Sequence, residues 1–127
     1  MMKSAKAFAP ATVANVSCGF DILGFAIDAM GDTVELVIKD KPGLCVVSIE
    51  GDEGRLPLEV TKNTCAVAIQ AMLDEMGINP GIDIYLKKGL PLGSGLGSSA
   101  ASAVAALVAA NEPSRFTFLT LATILAV

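Results

Sequence analysis

Residues 91–102 read PLGSGLGSSAAS, a stretch in which three glycines alternate with other residues before two serines and a run of small residues. Glycines at this spacing let successive backbone N–H groups converge on an anion, and a helix that begins at the serines presents unsatisfied donors at its N-terminus. A tight turn with a serine N-cap is the structural alternative. Three alternating glycines exceed what a cap requires, so the stretch favours an anion site.

The glycine spacing fits neither of the two common nucleotide-binding fingerprints. The dinucleotide pattern GxGxxG needs glycine where Ser98 stands, and the P-loop pattern needs a Gly-Lys pair before Ser or Thr. An anion site built from backbone N–H groups at a helix start is still possible here, because Ser98 and Ser99 lie at the predicted start of a helix. A hydroxyl there can bond a phosphate oxygen or ligate Mg²⁺.

The composition limits which classes of protein and which kinds of site are possible. The 127 residues are 53% hydrophobic with no tryptophan, which suits one α+β or α/β domain with an aliphatic core. A net charge of −4 without a basic tract argues against a nucleic-acid partner. No histidine and no CxxC pair are present, which excludes an ordinary zinc site and a histidine-based triad. With no signal peptide and no apolar run of the roughly 18–20 residues that a spanning helix needs, we expect a soluble, cytoplasmic protein without a membrane partner.

Hydrophobic periodicity predicts a mixed order of strands and helices. Strands are predicted over residues 3–9, 25–29, 33–39, 44–50 and 82–87. A loop is expected over residues 11–24, and a turn at Gly31-Asp32. One helix is predicted over residues 64–76, capped by Asn63 and ended by Gly77, and a second over residues 98–110. This order is typical of an α+β domain.

The C-terminal segment PSRFTFLTLATILAV has Arg115 as its only charge. An apolar end of this kind is typical of an interrupted element. We therefore expect residues 1–112 to form the domain, and residues 113–127 to be an atypical tail that is truncated or out of frame.

Two blocks of sequence resemble the GHMP kinases. PLGSGLGSSAAS is similar to their phosphate-binding motif, Pro-x-x-x-Gly-Leu-Gly-Ser-Ser followed by small residues, and matches at Pro91, Gly95, Leu96, Gly97, Ser98, Ser99 and Ala100. Residues 9–28, APATVANVSCGFDILGFAID, resemble the first motif of the homoserine kinases, roughly Ala-Pro-Ala-Thr-x-Ala-Asn followed by Gly-Phe-Asp and Leu-Gly. Asn63 and VAANE at 108–112 agree with this resemblance.

The resemblance implies a fold and an activity. The fold would be the ribosomal protein S5 domain 2-like N-terminal domain of a GHMP kinase, α+β and truncated, with a left-handed βαβ crossover. The activity would be transfer of the ATP γ-phosphoryl group to the hydroxyl of L-homoserine in threonine biosynthesis, with ATP and Mg²⁺ required. A homodimer is a further expectation, since homoserine kinases are commonly dimers.

The resemblance also assigns roles to residues. Asn63 would border the adenine, with a plain N-cap as an equal alternative. Asn15 and Asp21 would bind homoserine, Asp21 by pairing with its ammonium group, although Asp21 in a glycine-flanked loop also fits a simple turn. Ser99 would ligate Mg²⁺, and no general base is assigned. The ATP phosphates would lie among Pro91, Leu92, Gly93, Ser94, Gly95, Leu96, Gly97, Ser98 and Ser99.

Thr12 favours the homoserine kinases, because mevalonate kinases usually carry lysine there. Ser17-Cys18 departs from the Gly-Pro of many homoserine kinases. The family is also much longer, and its second half supplies an acidic Mg²⁺ ligand and substrate-binding arginines. We therefore expect an N-terminal part that is inactive alone. Two alternatives stay open: another small-molecule GHMP kinase, acting on mevalonate or shikimate, and a non-catalytic α+β module that needs a partner chain.

Overall fold

The computed structural model describes residues 4–14, 16–17 and 22–114, and the structural statements below concern those residues. Their helices and strands follow in the order β1 (Ser4–Val13), β2 (Phe25–Lys39), β3 (Gly43–Glu50), α1 (Thr64–Met76), β4 (Gly81–Lys87) and α2 (Ser98–Ser114). The strands form one sheet in the order β1-β2-β4-β3. The predicted α+β class is confirmed.

The sheet is mixed, with β2 antiparallel to both β1 and β4, and β3 parallel to β4. Helix α1 is therefore the crossover between two parallel neighbours. Val34 pairs with Leu86 and Leu36 pairs with Ile84, and all four side chains are buried. Because side chains alternate along a strand, these pairs lie on the same face of the sheet, which forms the core with the helices.

Helix α2 packs against β1, β2 and α1 through small residues. Its buried positions include Ala101, Ala105, Ala106 and Ala109. Short side chains let its backbone approach the sheet closely, which explains the smooth alanine face of this helix. None of the helices in the described ranges is long and apolar enough to cross a membrane.

The boundaries of α1 agree with the sequence. Asn63 is the N-cap, with its side chain accepting hydrogen bonds from the backbone N–H groups of Cys65 and Ala66. Gly77 ends the helix in the left-handed conformation at φ 65°. Helix α2 begins at Ser98 as predicted but continues past Ala110 to Ser114, since neither Asn111 nor Glu112 breaks a helix.

Strand β1 is longer than predicted, because it continues through Pro10 to Val13. The pairing register with β2 shifts between Pro10 and Ala11. A proline at such an irregularity removes no regular ladder bond, so it does not end the strand. The predicted loop over residues 11–24 is therefore wrong for its first three residues.

The predicted turn at Gly31-Asp32 is also wrong, because β2 is one continuous strand from Phe25 to Lys39. A Cβ on Gly31 would lie 2.3 Å from the carbonyl oxygen of Ala9 and would overlap the ring of Phe8. Glycine is required here by close packing between strands. Asp32 is fully buried inside the sheet.

Cys65 is buried at the start of α1, and its Sγ donates a hydrogen bond to the carbonyl oxygen of Ser102 at 3.4 Å. Burial raises the pKa of this thiol to about 12, which the nearby ammonium group of Lys88 opposes. The thiol is therefore neutral at physiological pH. Cys45 is exposed.

Substitution of Gly31 tests the close packing of β1 and β2. We expect Gly31→Ala to lower the free energy of unfolding by about 1–3 kcal/mol, because backbone and ring atoms must move to admit the methyl group. Ala29→Ser, at an exposed position of the same strand, should change it by less than about 0.5 kcal/mol. Urea denaturation measures both, and equal stability of the two variants would contradict the packing argument.

Thiol chemistry tests the burial of Cys65. In a Cys18→Ser background at pH 8, iodoacetamide should alkylate Cys45 and leave Cys65 unmodified until the chain unfolds, because the thiolate is the reacting species. Mass spectrometry of the peptides gives the extent at each site. Similar modification of both cysteines in the folded chain would show that the thiol is not shielded.

The same raised pKa makes stability depend on pH. The thiol titrates at 9.0 without the fold and at about 12 within it. The folded chain thus holds the proton more tightly between these values, and the stability contributed by the neutral thiol is fully present below pH 9 and is lost toward pH 12. Cys65→Ala should flatten this part of the stability profile.

Candidate functional site

The glycine-rich loop links β4 to α2 and has three glycines with positive φ. Gly93, Gly95 and Gly97 have φ values of 71°, 72° and 70°. A Cβ on Gly93 or Gly95 would meet nothing within 4 Å. Glycine is therefore required at these two positions by backbone conformation and not by a packed neighbour. The interpretation of the stretch as a closely packed turn does not hold there.

The loop presents backbone donors. Within the part of the chain that the structure describes, no N–H group from Gly93 to Ser99 donates a hydrogen bond to a protein acceptor. The first hydrogen bond of α2 runs from the N–H of Ala101 to the carbonyl oxygen of Gly97 at 2.8 Å. Unsatisfied N–H groups at a helix N-terminus are the usual elements of a phosphate site.

Strand β1 holds one side of the loop. The N–H of Thr12 donates to the carbonyl oxygen of Leu96 at 3.0 Å. A Cβ on Gly97 would lie 2.3 Å from the Oγ1 of Thr12, so the loop backbone lies directly against this side chain. The structure thus brings the two blocks that carry the family resemblance together at Thr12. Sequence reasoning singled out this residue but did not predict the contact.

The N-termini of both helices border one small cavity of about 50 Å³. Because a helix N-terminus carries partial positive charge, two such ends favour an anion in this cavity. The volume suits a phosphate group and is well below the ~300–1,000 Å³ of a site that encloses a whole ligand. The lining residues are Leu56, Pro57, Lys62, Asn63, Thr64, Leu86, Lys88, Leu92, Ser98, Ser99 and Ser102.

The two serines at the start of α2 have different surroundings. The Oγ of Ser98 accepts a hydrogen bond from the Nζ of Lys88 at 2.6 Å. Ser99 is exposed, and within the described ranges its hydroxyl makes no hydrogen bond to the protein. Ser98 keeps its O–H as a donor for a ligand, whereas Ser99 has both its O–H and its oxygen lone pairs available.

Asn63 also lines the cavity and is nearly fully buried. Its Oδ1 caps α1, and its Nδ2 donates to the carbonyl oxygen of Pro57 at 3.0 Å. The N-cap interpretation of Asn63 is therefore confirmed, and the adenine interpretation stays a prediction. Asn15 and Asp21 lie outside the described residues, so their assignment to homoserine also stays a prediction.

The segment before α1 is shaped by Asp52. Its two carboxylate oxygens accept hydrogen bonds from the N–H groups of Leu56 at 2.9 Å and Gly54 at 3.1 Å. The bond from Leu56 is the main cause that lowers the pKa of Asp52 below its ordinary value. These bonds fix the chain just before Leu56 and Pro57, which line the cavity.

Sequence reasoning missed a buried ion pair beneath the loop, between Asp32 and Lys88. The signal for it was present in the strand periodicity. Asp32 is in phase with the buried Val34 and Leu36, and Lys88 is in phase with Ile84 and Leu86. A charge at a core position needs a partner, and each residue meets that need for the other.

A larger cavity of about 270 Å³ lies elsewhere on the sheet. Its lining includes Lys6, Glu35, Glu50, Tyr85 and Lys87, so it contains charges of both signs. It contains neither the glycine-rich loop nor a helix N-terminus. The smaller cavity is therefore the better candidate for a phosphate.

Comparisons with known proteins identify the family of the chain. The family described as GHMP kinases N terminal domain matches residues 62–126. The homoserine kinase of Chlorobium phaeobacteroides is 50% identical over 121 residues, covering 87% of this chain and 38% of that protein. The homoserine kinase of Xylella fastidiosa is 47% identical over 115 residues, covering 87% of this chain and 36% of that protein.

Solved structures agree as well. The crystal structure of homoserine kinase from Cytophaga hutchinsonii matches with a TM-score of 0.90 and 53% identity, over 97% of this chain and 39% of that one. A crystal structure of mevalonate kinase matches with a TM-score of 0.65 and 20% identity, over 96% of this chain and 43% of that one, which shows the shared fold alone.

The chain spans about 38% of the length of the curated relatives it matches. The family match also continues beyond residue 112, into the segment expected to be an atypical tail. Because the described residues end at 114, the division into 1–112 and 113–127 stays a prediction. With a match over residues 62–126, more than half of its 127 residues, the chain belongs to the GHMP kinases, as a member of their N-terminal domain family.

Proposed function

We propose that this chain forms the ATP-phosphate-binding part of a homoserine kinase, which transfers the γ-phosphoryl group of ATP to the hydroxyl of L-homoserine in threonine biosynthesis. The observation that carries the proposal is the loop Gly93–Ser99, whose N–H groups make no hydrogen bond to the protein in the described ranges. Identities of about 50% with proteins named homoserine kinase support homoserine as the acceptor. Cytoplasmic location and a homodimer follow from the resemblance and are proposed with it.

Phosphoryl transfer depends chiefly on positioning and on stabilising charge at the phosphate oxygens. The loop supplies donors in fixed positions, and the N-termini of α1 and α2 supply partial positive charge from two directions. Lys62 lines the same cavity and carries a full charge, although its Nζ pairs with Glu59 at 2.7 Å. Together these groups favour the triphosphate. The rest of a nucleotide would lie across the surface near Asn63, because the cavity is too small to enclose it.

The residues around the cavity fit Mg²⁺ only as a companion of the nucleotide. The lining includes the Ser99 hydroxyl but no carboxylate, and the described residues hold no group of three or more His, Cys, Asp or Glu side chains that could bind a metal. Mg²⁺ commonly keeps several waters and binds through substrate phosphates and one or two protein oxygens. Ser99 would supply one such oxygen, and the ion would neutralise charge on the phosphates.

We assign no general base to the cavity. Its lining in the described ranges contains neither a carboxylate nor an imidazole. We propose that alignment of the acceptor hydroxyl with the phosphate supplies the rate enhancement instead. Asn15 and Asp21 would hold the acceptor, and the contact of Thr12 with the loop supports this, because their sequence block begins on the strand that holds the phosphate site.

A chimera tests the proposed function. Residues 1–112 of this chain would replace the matching part of the homoserine kinase from Chlorobaculum tepidum, which is 50% identical. We expect ATP-dependent phosphorylation of homoserine, and little or none of mevalonate or shikimate. The intact Chlorobaculum tepidum enzyme is the positive control, and the isolated 127-residue chain should show negligible turnover.

The other outcomes of the chimera experiment distinguish the two alternative functions. A folded chimera that phosphorylates mevalonate or shikimate in preference would replace homoserine kinase with another small-molecule GHMP kinase. A folded chimera that phosphorylates none of the three would favour a non-catalytic module. Circular dichroism of the chimera shows whether it has folded.

Replacement of Ser99 tests its proposed role toward Mg²⁺. Ser99→Ala should weaken ATP binding by about 10- to 150-fold when Mg²⁺ is present, since a hydrogen bond or ligand to a charged group contributes roughly 1.5–3 kcal/mol. Without Mg²⁺ the variant and the parent chain should bind alike. Titration calorimetry gives both affinities, and Ser48→Ala, at the larger cavity, is the matched control. Equal loss with and without the ion would assign Ser99 to the phosphates alone.

A further inference from the structure

A buried ion pair lies beneath the glycine-rich loop, and one of its partners, Lys88, also lines the small cavity. The side chains of Asp32 and Lys88 are 0% and 2% exposed, and the Nζ of Lys88 donates to the Oδ2 of Asp32. Asp32 belongs to β2, and Lys88 directly follows β4. The pair therefore joins a strand in the middle of the sheet to the first residue of the loop.

The other carboxylate oxygen of Asp32 holds the start of the loop. Its Oδ1 accepts hydrogen bonds from the N–H groups of Gly89 at 3.0 Å and Leu90 at 3.3 Å. The backbone of Gly89 also packs against Gly31, since a Cβ on Gly89 would lie 1.9 Å from the Gly31 carbonyl oxygen. These contacts fix the direction in which the chain leaves the sheet.

The same ion pair holds the end of the loop. The Nζ of Lys88 donates to the Oγ of Ser98 at 2.6 Å and to its carbonyl oxygen at 3.2 Å. The Oγ of Ser102 donates to the Oδ2 of Asp32 at 2.7 Å and accepts from Lys88 at 2.9 Å. Ser98 and Ser102 are one turn apart at the start of α2, so that helix is anchored to the same carboxylate.

Stability alone does not explain a pair of this kind. A buried ion pair loses hydration on both partners, and replacing it with apolar residues is often neutral or stabilising. What an apolar pair cannot do is accept the N–H groups of Gly89 and Leu90 while donating to Ser98. The hydrogen bonds of the pair run to the two ends of one loop. This indicates that the buried pair is present because it holds the loop.

We propose that Asp32 is a positioning residue which, with Lys88, joins both ends of the glycine-rich loop and thereby holds the N–H groups of residues 93–99 in place for a phosphate. The identity of the bound group rests on the proposed function. The positioning itself is a property of the loop without ligand, and it is tested in that state.

Amide hydrogen exchange of the whole 127-residue chain, measured by NMR without nucleotide, tests the positioning. In D32A/K88M both charges are removed, so no unpaired charge is left in the core. We expect the amides of Gly89, Leu90 and Thr12 to exchange at least tenfold faster, because the first two lose their acceptor and the third reports contact with Leu96. Amides of β4, such as that of Ile84, should keep their protection.

A second ion pair across β2 and β4 provides the matched control. The Nζ of Lys39 and the Oδ1 of Asp83 are 2.6 Å apart, and within the described ranges neither side chain hydrogen-bonds to the loop. D83A/K39M should leave the exchange of all these amides unchanged. D32N/K88M, which keeps an acceptor oxygen at position 32, should restore protection of Gly89 and Leu90.

In the exchange experiment, either of two results would overturn the positioning role. One is wild-type protection of Gly89, Leu90 and Thr12 in D32A/K88M. The other is equal loss of protection at these residues and throughout β4, which would make the pair a support of the whole fold.

A titration with ATP and Mg²⁺ separates this inference from the proposed function. If the parent chain binds ATP, D32A/K88M should bind it at least tenfold more weakly while D83A/K39M binds as the parent does, and unchanged affinity of D32A/K88M would contradict the positioning role. If the parent chain binds no ATP, the phosphate function fails. The exchange rates measured without ligand then still decide whether Asp32 positions the loop.

Discussion

The contact between Asp32 and Lys88 is the interaction on which the site depends. A loop whose N–H groups remain free for a ligand cannot be held by its own backbone hydrogen bonds. The buried pair supplies the missing restraint from outside the loop, by binding Gly89 at its start and Ser98 at its end. The cost of burying two charges is offset because their hydrogen-bonding groups are satisfied by each other and by the loop.

Thr12 completes this arrangement from the other side of the loop. Its N–H holds Leu96, and its side chain lies against Gly97, so the middle of the loop is fixed to β1 while its ends are fixed to Asp32 and Lys88. Between these attachments lie Gly93 and Gly95, which have positive φ and no neighbouring atom within 4 Å of where a Cβ would be. Because the loop is attached at both ends and at its middle, it needs little reorganisation when an anion binds.

Local sequence signals predicted α1, β4 and the glycine-rich loop correctly, because Asn63, Gly77 and the alternating glycines determine the backbone conformation of the residues next to them. The same rules failed for β1 and β2. Pro10 and Gly31-Asp32 are strong turn signals locally, but the first lies at a register shift and the second at a close approach of strands. The strand periodicity indicated that Asp32 and Lys88 are each buried, but their pairing with each other depends on the register between β2 and β4, which the tertiary fold sets.

We propose that the loop Gly93–Ser99 binds the phosphates of ATP. The most direct measurement is a titration of the ¹⁵N-labelled chain with ATP and Mg²⁺, followed by amide chemical shifts. We expect the largest changes at Gly93, Gly95, Gly97 and Ser99, with small changes at Lys6 and Tyr85. Largest changes around the cavity that Lys6 and Tyr85 line, or none in the loop at saturating ATP, would contradict it.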